Sequence, residues 1–173
     1  MKKNSGFTLL ELIITVALIS IVMAIAIPSM TTFTQNDRLT TNINSLIGHL
    51  AYARSEAVKL SQQVSLCVSS NTTSCTGGNW QDGWIVYIDA DGDNSFTQNV
   101  ATGEIILRAQ QTLDGANTLT TAIGTQVTYD YRGFASAASV GNFLLCDARS
   151  GPFGKTIRIS NTGRVRLEDG STC

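Results

Sequence analysis

Two stretches of this chain combine residue types and spacings suited to binding chemistry. The first is Asp89-Ala-Asp91-Gly-Asp93-Asn94, where carboxylates alternate along a turn-forming string. Calcium takes roughly six to eight oxygen ligands, so such a string is a starting point for a cation cage. It departs from an EF-hand loop, however. Gly92 stands at the fourth place, Asn94 at the sixth, where the sharp turn calls for glycine, and Val100 at the twelfth, where a bidentate Glu belongs. Glu104 would serve only in a longer loop. The competing reading is a solvated acidic hairpin loop, because Asp, Asn and Gly form turns unaided. No metal is therefore assigned, and Asp89, Asp91 and Asp93 stand only as calcium candidates.

The second stretch runs from Lys155 to Gly170, KTIRISNTGRVRLEDG. Two strands flank a turn at Asn161, Thr162 and Gly163. Strand side chains alternate between faces, which turns Ile157, Ile159, Val165 and Leu167 inward and Arg158, Arg164 and Arg166 outward. Guanidinium groups clustered on one surface suit bidentate contact with phosphates. Lys155 and Arg149 flank the group. The competing reading is an edge strand blunted by charge, as proteins use against aggregation. Trp80, Trp84, Tyr87 and Tyr52 could stack bases if exposed, but Trp84 and Tyr87 lie in a strand-like run and read as core.

Catalytic constellations do not emerge. His49 is the single histidine, lies on a helix, and has no nucleophile or acid tied to it. It reads as structural or solvent-facing. No GxxxxGK phosphate loop is present. The expectation is a protein that is not an enzyme and needs no cofactor.

The elements that position these residues follow from composition. The 173 residues suggest one globular domain with attachments. Net charge is −1, yet unevenly spread. Between Lys59 and Arg108 the only charges are acidic, and from Arg149 to Leu167 they are all basic, a pattern that points to separate surfaces. The 4 cysteines contain no CxxC, so disulfides in an oxidising compartment are favoured over zinc. Of the possible pairings, Cys67–Cys75 with Cys146–Cys173 is preferred, since the first closes a short loop and the second pins the C-terminus; the other pairings stay open.

Residues 7–27 form an apolar run with one charge, Glu11. As a helix it spans roughly 30 Å, the thickness of a bilayer's hydrocarbon core. Lys2 and Lys3 place its start in the cytoplasm and the body across the membrane. A cleaved signal peptide would carry its small residue after the apolar run; here Gly6 precedes it. An ordinary anchor leaves Glu11 unexplained, because a carboxylate within a membrane calls for a partner. Pro28 ends the purely apolar run, and a kink or local melting is expected there. Beyond it, Phe33, Leu39, Ile43, Leu46, Ile47, Leu50, Ala53, Ala57, Val58 and Leu60 recur at helical spacing, so an amphipathic half-helix over 28–61 lays its stripe on a sheet. Strands are expected at 64–68, 84–88, 104–109, 126–131, 143–146, 155–159 and 164–167, separated by Gly, Asn and Asp breakers. Residues 111–125 and 135–142 read as exposed loops. The fold class is α+β: one long N-terminal helix, then an antiparallel β body over 62–173.

KKNSG followed by FTLLELIITVALISIVMAIAIPSM resembles the prepilin signature of type IV pilins and type II secretion pseudopilins. The resemblance implies that 1–6 is a leader cut between Gly6 and Phe7 by a prepilin peptidase, and that Phe7 is then N-methylated. It also implies that Glu11 pairs with the N-terminal amine of a neighbouring subunit, which would neutralise two charges in an apolar filament core. AYARSEAVKLSQQVSLC, followed by GGNWQDGWIVYIDADGD, resembles the GspH/FimT group of minor pilins and pseudopilins, which implies a low-abundance subunit near a filament tip. The string Gly163-Arg164-Val165-Arg166 resembles the GRxR motif of FimT proteins that bind DNA in natural transformation. The implied function is a minor pilin in contact with other pilins, held in the bacterial inner membrane with its body periplasmic and then displayed on a pilus. There it binds extracellular double-stranded DNA without sequence preference. The alternative is a structural minor pilin or type II secretion pseudopilin that primes filament assembly, its basic residues serving pilin–pilin contacts.

Overall fold

The computed structural model describes residues 7–97 and 103–173. The expected leader, residues 1–6 with Gly6, lies outside the described residues, as does Val100. The chain divides into two compact units, Met1–Asp37 and Arg38–Cys173.

Helix α1 runs from Leu9 to Leu60. Thr8 caps its start. The Thr8 N–H and hydroxyl both donate to Glu11 Oε2 at 3.0 Å, and the Glu11 N–H donates to Thr8 Oγ1 at 3.3 Å. This reciprocal Thr-x-x-Glu box satisfies amides that a helix start leaves unpaired. Of the kink or local melting expected at Pro28, the melting does not occur. The helix is continuous, and the hydroxyls of Thr31 and Thr32 donate to the Pro28 carbonyl. Proline removes one ladder bond, and the turns on either side hold. In the first unit the apolar side chains are exposed from Phe7 to Phe33, and an 18-residue window of α1 has a mean hydropathy of 2.7, enough to cross a membrane.

The second unit carries the last turns of α1, where Leu39, Ile43, Leu46, Leu50, Ala53 and Ala57 are at most 1 % exposed. Three residues of the expected stripe, Phe33, Val58 and Leu60, are exposed instead. The helix ends with Ser61 in the left-handed region (φ 53°) and the Gln62 N–H on the Ala57 carbonyl, a Schellman closure that releases the chain into the sheet.

Two antiparallel sheets follow. β1 (Gln63–Val68), β2 (Trp84–Asp89), β3 (Ile106–Gln110) and β5 (Gln126–Tyr129) form one, in the order β3-β2-β1-β5. β4 (Thr118–Thr121), β6 (Gly141–Cys146), β7 (Gly154–Ile159) and β8 (Val165–Ser171) form the other, in the order β4-β6-β7-β8. α1 and one face of each sheet share a core built from Leu46, Leu50, Val64, Leu66, Trp84, Val127, Phe143 and Ile157. The far face of the first sheet covers a smaller cluster of Cys67, Ile85, Tyr87 and Phe96. This is the α+β architecture expected, with corrections. β4 lies within the stretch read as loop, where Leu119 alone is buried among threonines. β5 stops at Tyr129, because Asp130 starts a turn by accepting the Arg132 and Phe134 amides. The disulfides are Cys67–Cys75 and Cys146–Cys173. The second ties the end of the chain, just beyond β8, to the end of β6.

Candidate nucleic-acid interface

The β7–β8 hairpin forms because Ile157 and Ile159 bury at 0 % and 1 % while their neighbours stay wet. Its turn closes through the Ser160 N–H on the Arg164 carbonyl and the Gly163 N–H on the Ser160 carbonyl. Gly163 has φ +73°, and a Cβ there would run into the Gly133 carbonyl, so this position requires glycine.

Register places Arg158 directly opposite Arg166. Directly opposite residues share a face, and both are exposed, as is Arg164 at the turn. Arg158 and Arg166 are thus brought side by side across the hairpin, with Arg164 exposed beside its turn. The rest of the predicted basic set does not join them freely. Lys155 is ion-paired with Asp169 at 2.6 Å. Arg149 is largely buried, bonded to Asp147 at 2.6 Å and stacked 4.4 Å from the Phe153 ring. Burial alone would raise the Asp147 carboxyl, but the bonds from Arg149 outweigh it and hold the pKa below the ordinary range. Arg158 lies 3.5 Å from Glu168, with both side chains more than half exposed, so this pair is weak in water. Leu167, expected inward, is 40 % exposed, because β8 is the outermost strand and Leu167 lies outside the core cluster.

Sequence reasoning missed Arg54. Its Nε donates to the Gly133 carbonyl at 2.9 Å and lies beside the Gly163 turn. Arg54 and Arg164 line the same open groove, of about 540 Å³, between α1 and the hairpin. The string around Arg54 gave a helical pattern and a family resemblance but no site, and no local signal links residues 54 and 164.

The acidic stretch behaves differently. Asp89, Asp91, Asp93 and Glu104 bring carboxylate oxygens within 4.8 Å of one another. Asp89 accepts from Gln63 Nε2 at 2.6 Å and from the amides of Gly92 and Asn94. Glu104 accepts the Thr97 amide. Asp91 and Asp93 each accept an amide two residues on. Burial raises the pKa of Asp89 and of Glu104, and the neighbouring carboxylates add to it. Hard oxygens at this spacing are chemically suited to a divalent cation; the observed bonds make them struts of their own loop.

His49 accepts from Trp84 Nε1 at 3.2 Å, edge to face with the indole. Burial, then the charge of Arg108, lowers its pKa, which fits a neutral structural acceptor. Trp80, Trp84 and Tyr87 are buried, and Tyr52 lies under Arg108 at 3.9 Å, so none of this set is a free stacking platform. In the second unit Tyr131, Phe134 and Phe153 are exposed, as are Phe7 and Phe33 on the first unit's part of α1.

The family model described as Type II transport protein GspH matches residues 42–163, and the prokaryotic N-terminal methylation motif matches residues 1–27. The chain belongs to the GspH family. Two crystal structures of the Pseudomonas aeruginosa (strain PAO1) type IV minor pilin FimU are similar to this GspH-family subunit. The form in space group P21 superposes with a TM-score of 0.62 at 23 % identity, covering 81 % of this chain and 95 % of that one. The P65 form gives 0.57 at 21 %, covering 78 % and 95 %. At such identities the likeness establishes the type IV pilin fold. No curated protein matches the chain. The GspH-family subunit thus carries an N-terminal methylation motif on a helix long and apolar enough to cross a membrane, ahead of a body with the type IV pilin fold.

Proposed function

We propose that this subunit is a minor pilin that captures extracellular double-stranded DNA for uptake in natural transformation. The observation carrying this reading is the exposed cross-strand pair Arg158 and Arg166, with Arg164 at the adjacent turn. Their guanidinium groups would contact backbone phosphates, giving binding without sequence preference and with a steep salt dependence. In this reading prepilin peptidase cuts between Gly6 and Phe7, Phe7 is N-methylated, and Glu11 neutralises the amine of a neighbouring subunit in the filament. The chain waits in the inner membrane with its body in the periplasm before joining a pilus.

The test is anisotropy of labelled duplex DNA with full-length protein in a nonionic detergent, over a salt series. Micromolar binding that weakens steeply with salt supports DNA capture. No binding at low salt favours a subunit that primes a pilus or a type II secretion filament through protein contacts alone. Mass spectrometry of the protein from its native membrane checks processing: a mature chain starting at methylated Phe7 is expected, and an intact leader would contradict it.

A further inference from the structure

We infer that Arg54 of α1 belongs to the same phosphate-binding surface as Arg164, the two guanidinium groups flanking one groove along which the DNA backbone lies. This rests on the DNA reading above and extends it from the sheet edge onto the helix.

Three observations converge on Arg54. First, it lines the groove together with Arg164, across a floor of Ile47, Ala51, Val58 and Val165. The floor is apolar save for the Ser55 hydroxyl, which donates to the Tyr52 carbonyl, so an anion is drawn to the cationic rims and the less polar sugar faces the floor. Second, several other cations of the body, though not Arg164 or Arg166, have carboxylate partners. Lys155 pairs with Asp169, Arg149 with Asp147, and Arg132 with Asp130 at 2.8 Å. Arg54 has no carboxylate partner among the described residues; its Nε is spent on a neutral carbonyl, that of Gly133. Third, that bond is an aiming device. It fixes the guanidinium against the Gly163 turn, which a Cβ at 163 would push away by closing to 3.0 Å on Arg54 Nε. A pre-aimed planar guanidinium loses little freedom when a phosphate oxygen arrives.

The experiment compares wild type, Arg54→Gln, Arg54→Lys and Arg164→Gln, each as full-length protein in nonionic detergent, with labelled duplex DNA over a salt series. Arg54→Gln is expected to weaken binding roughly three- to tenfold and to reduce the slope of log affinity against log salt by about one, the signature of one lost phosphate contact. Arg54→Lys loses the Gly133 bond but keeps the charge, and should hold the wild-type slope. If Arg54→Gln binds with wild-type affinity and slope while Arg164→Gln is weakened, this inference falls and the hairpin reading stands. If Lys and Gln at 54 weaken binding equally with no change of slope, Arg54 acts only by bracing the turn, and the inference is again overturned. A wild type that does not bind duplex overturns both readings.

Discussion

The acidic loop and the basic hairpin carry comparable densities of charge, and the fold treats them in opposite ways. At the loop, Asp89 and Glu104 are 1 % and 2 % exposed, and their oxygens are taken up by the amides of their own turn. At the hairpin, Arg158, Arg164 and Arg166 stand in water, with one loose ion pair among them. Buried charge must be satisfied internally, so the loop's carboxylates serve the body's own structure. Exposed cations cost the fold little and, in the proposed reading, are left for a partner. The comparison therefore separates a region whose substitution should change stability from one whose substitution should change binding.

The largest effect is expected where the hairpin is tied down. Replacing Cys146 and Cys173 together by Ser opens a 27-residue separation and should cost about 3 kcal/mol, read as a fall in the melting midpoint of the body. Equal melting of variant and wild type would show that β8 needs no staple. Next is Asp89→Ala, which strands two amides and the Gln63 side chain. It should lose about 2 kcal/mol with no change in DNA affinity. A loss of DNA binding at unchanged stability would invert the comparison. Arg164→Gln with Arg166→Gln should do the opposite, leaving stability within about 0.5 kcal/mol and weakening DNA binding at least tenfold. The smallest effect is Asp91→Asn, expected to stabilise by about 0.5 kcal/mol or less at neutral pH. The sign follows from the raised Asp89 and Glu104. A carboxyl whose pKa rises on folding contributes stability below its unfolded value and loses it as pH climbs through the folded value. Asp91 adds to both shifts, so the variant's advantage should be present at pH 7 and vanish below about pH 4. Melting curves at both pH values check it; an advantage that persists in acid would contradict the like-charge account.

Much of this division was legible in the sequence. Alternation along Ile157-Arg158-Ile159 told which side chains face water, because a strand's period is a local property. The apolar stripe from Leu39 to Ala57 was legible for the same reason. What failed was largely non-local. Lys155 looked like a free cation because its partner, Asp169, becomes a neighbour only through strand pairing; Arg149 is a local miss, its partner Asp147 standing two residues away. Arg54 was invisible as a site residue, since its nearness to Gly163 depends on how α1 meets the hairpin turn. β4 was missed because a Thr-rich string with a single buried Leu119 carries almost no hydrophobic signal. The helix passes Pro28 because a local breaking tendency yields to the many turns on either side.

The most direct test of DNA capture by the hairpin is the salt dependence of duplex binding by full-length wild type beside the Arg164→Gln, Arg166→Gln double variant. The account predicts a steep negative slope for wild type and a slope shallower by about two, with weaker binding, for the variant. Equal slopes and affinities for the two proteins would contradict it.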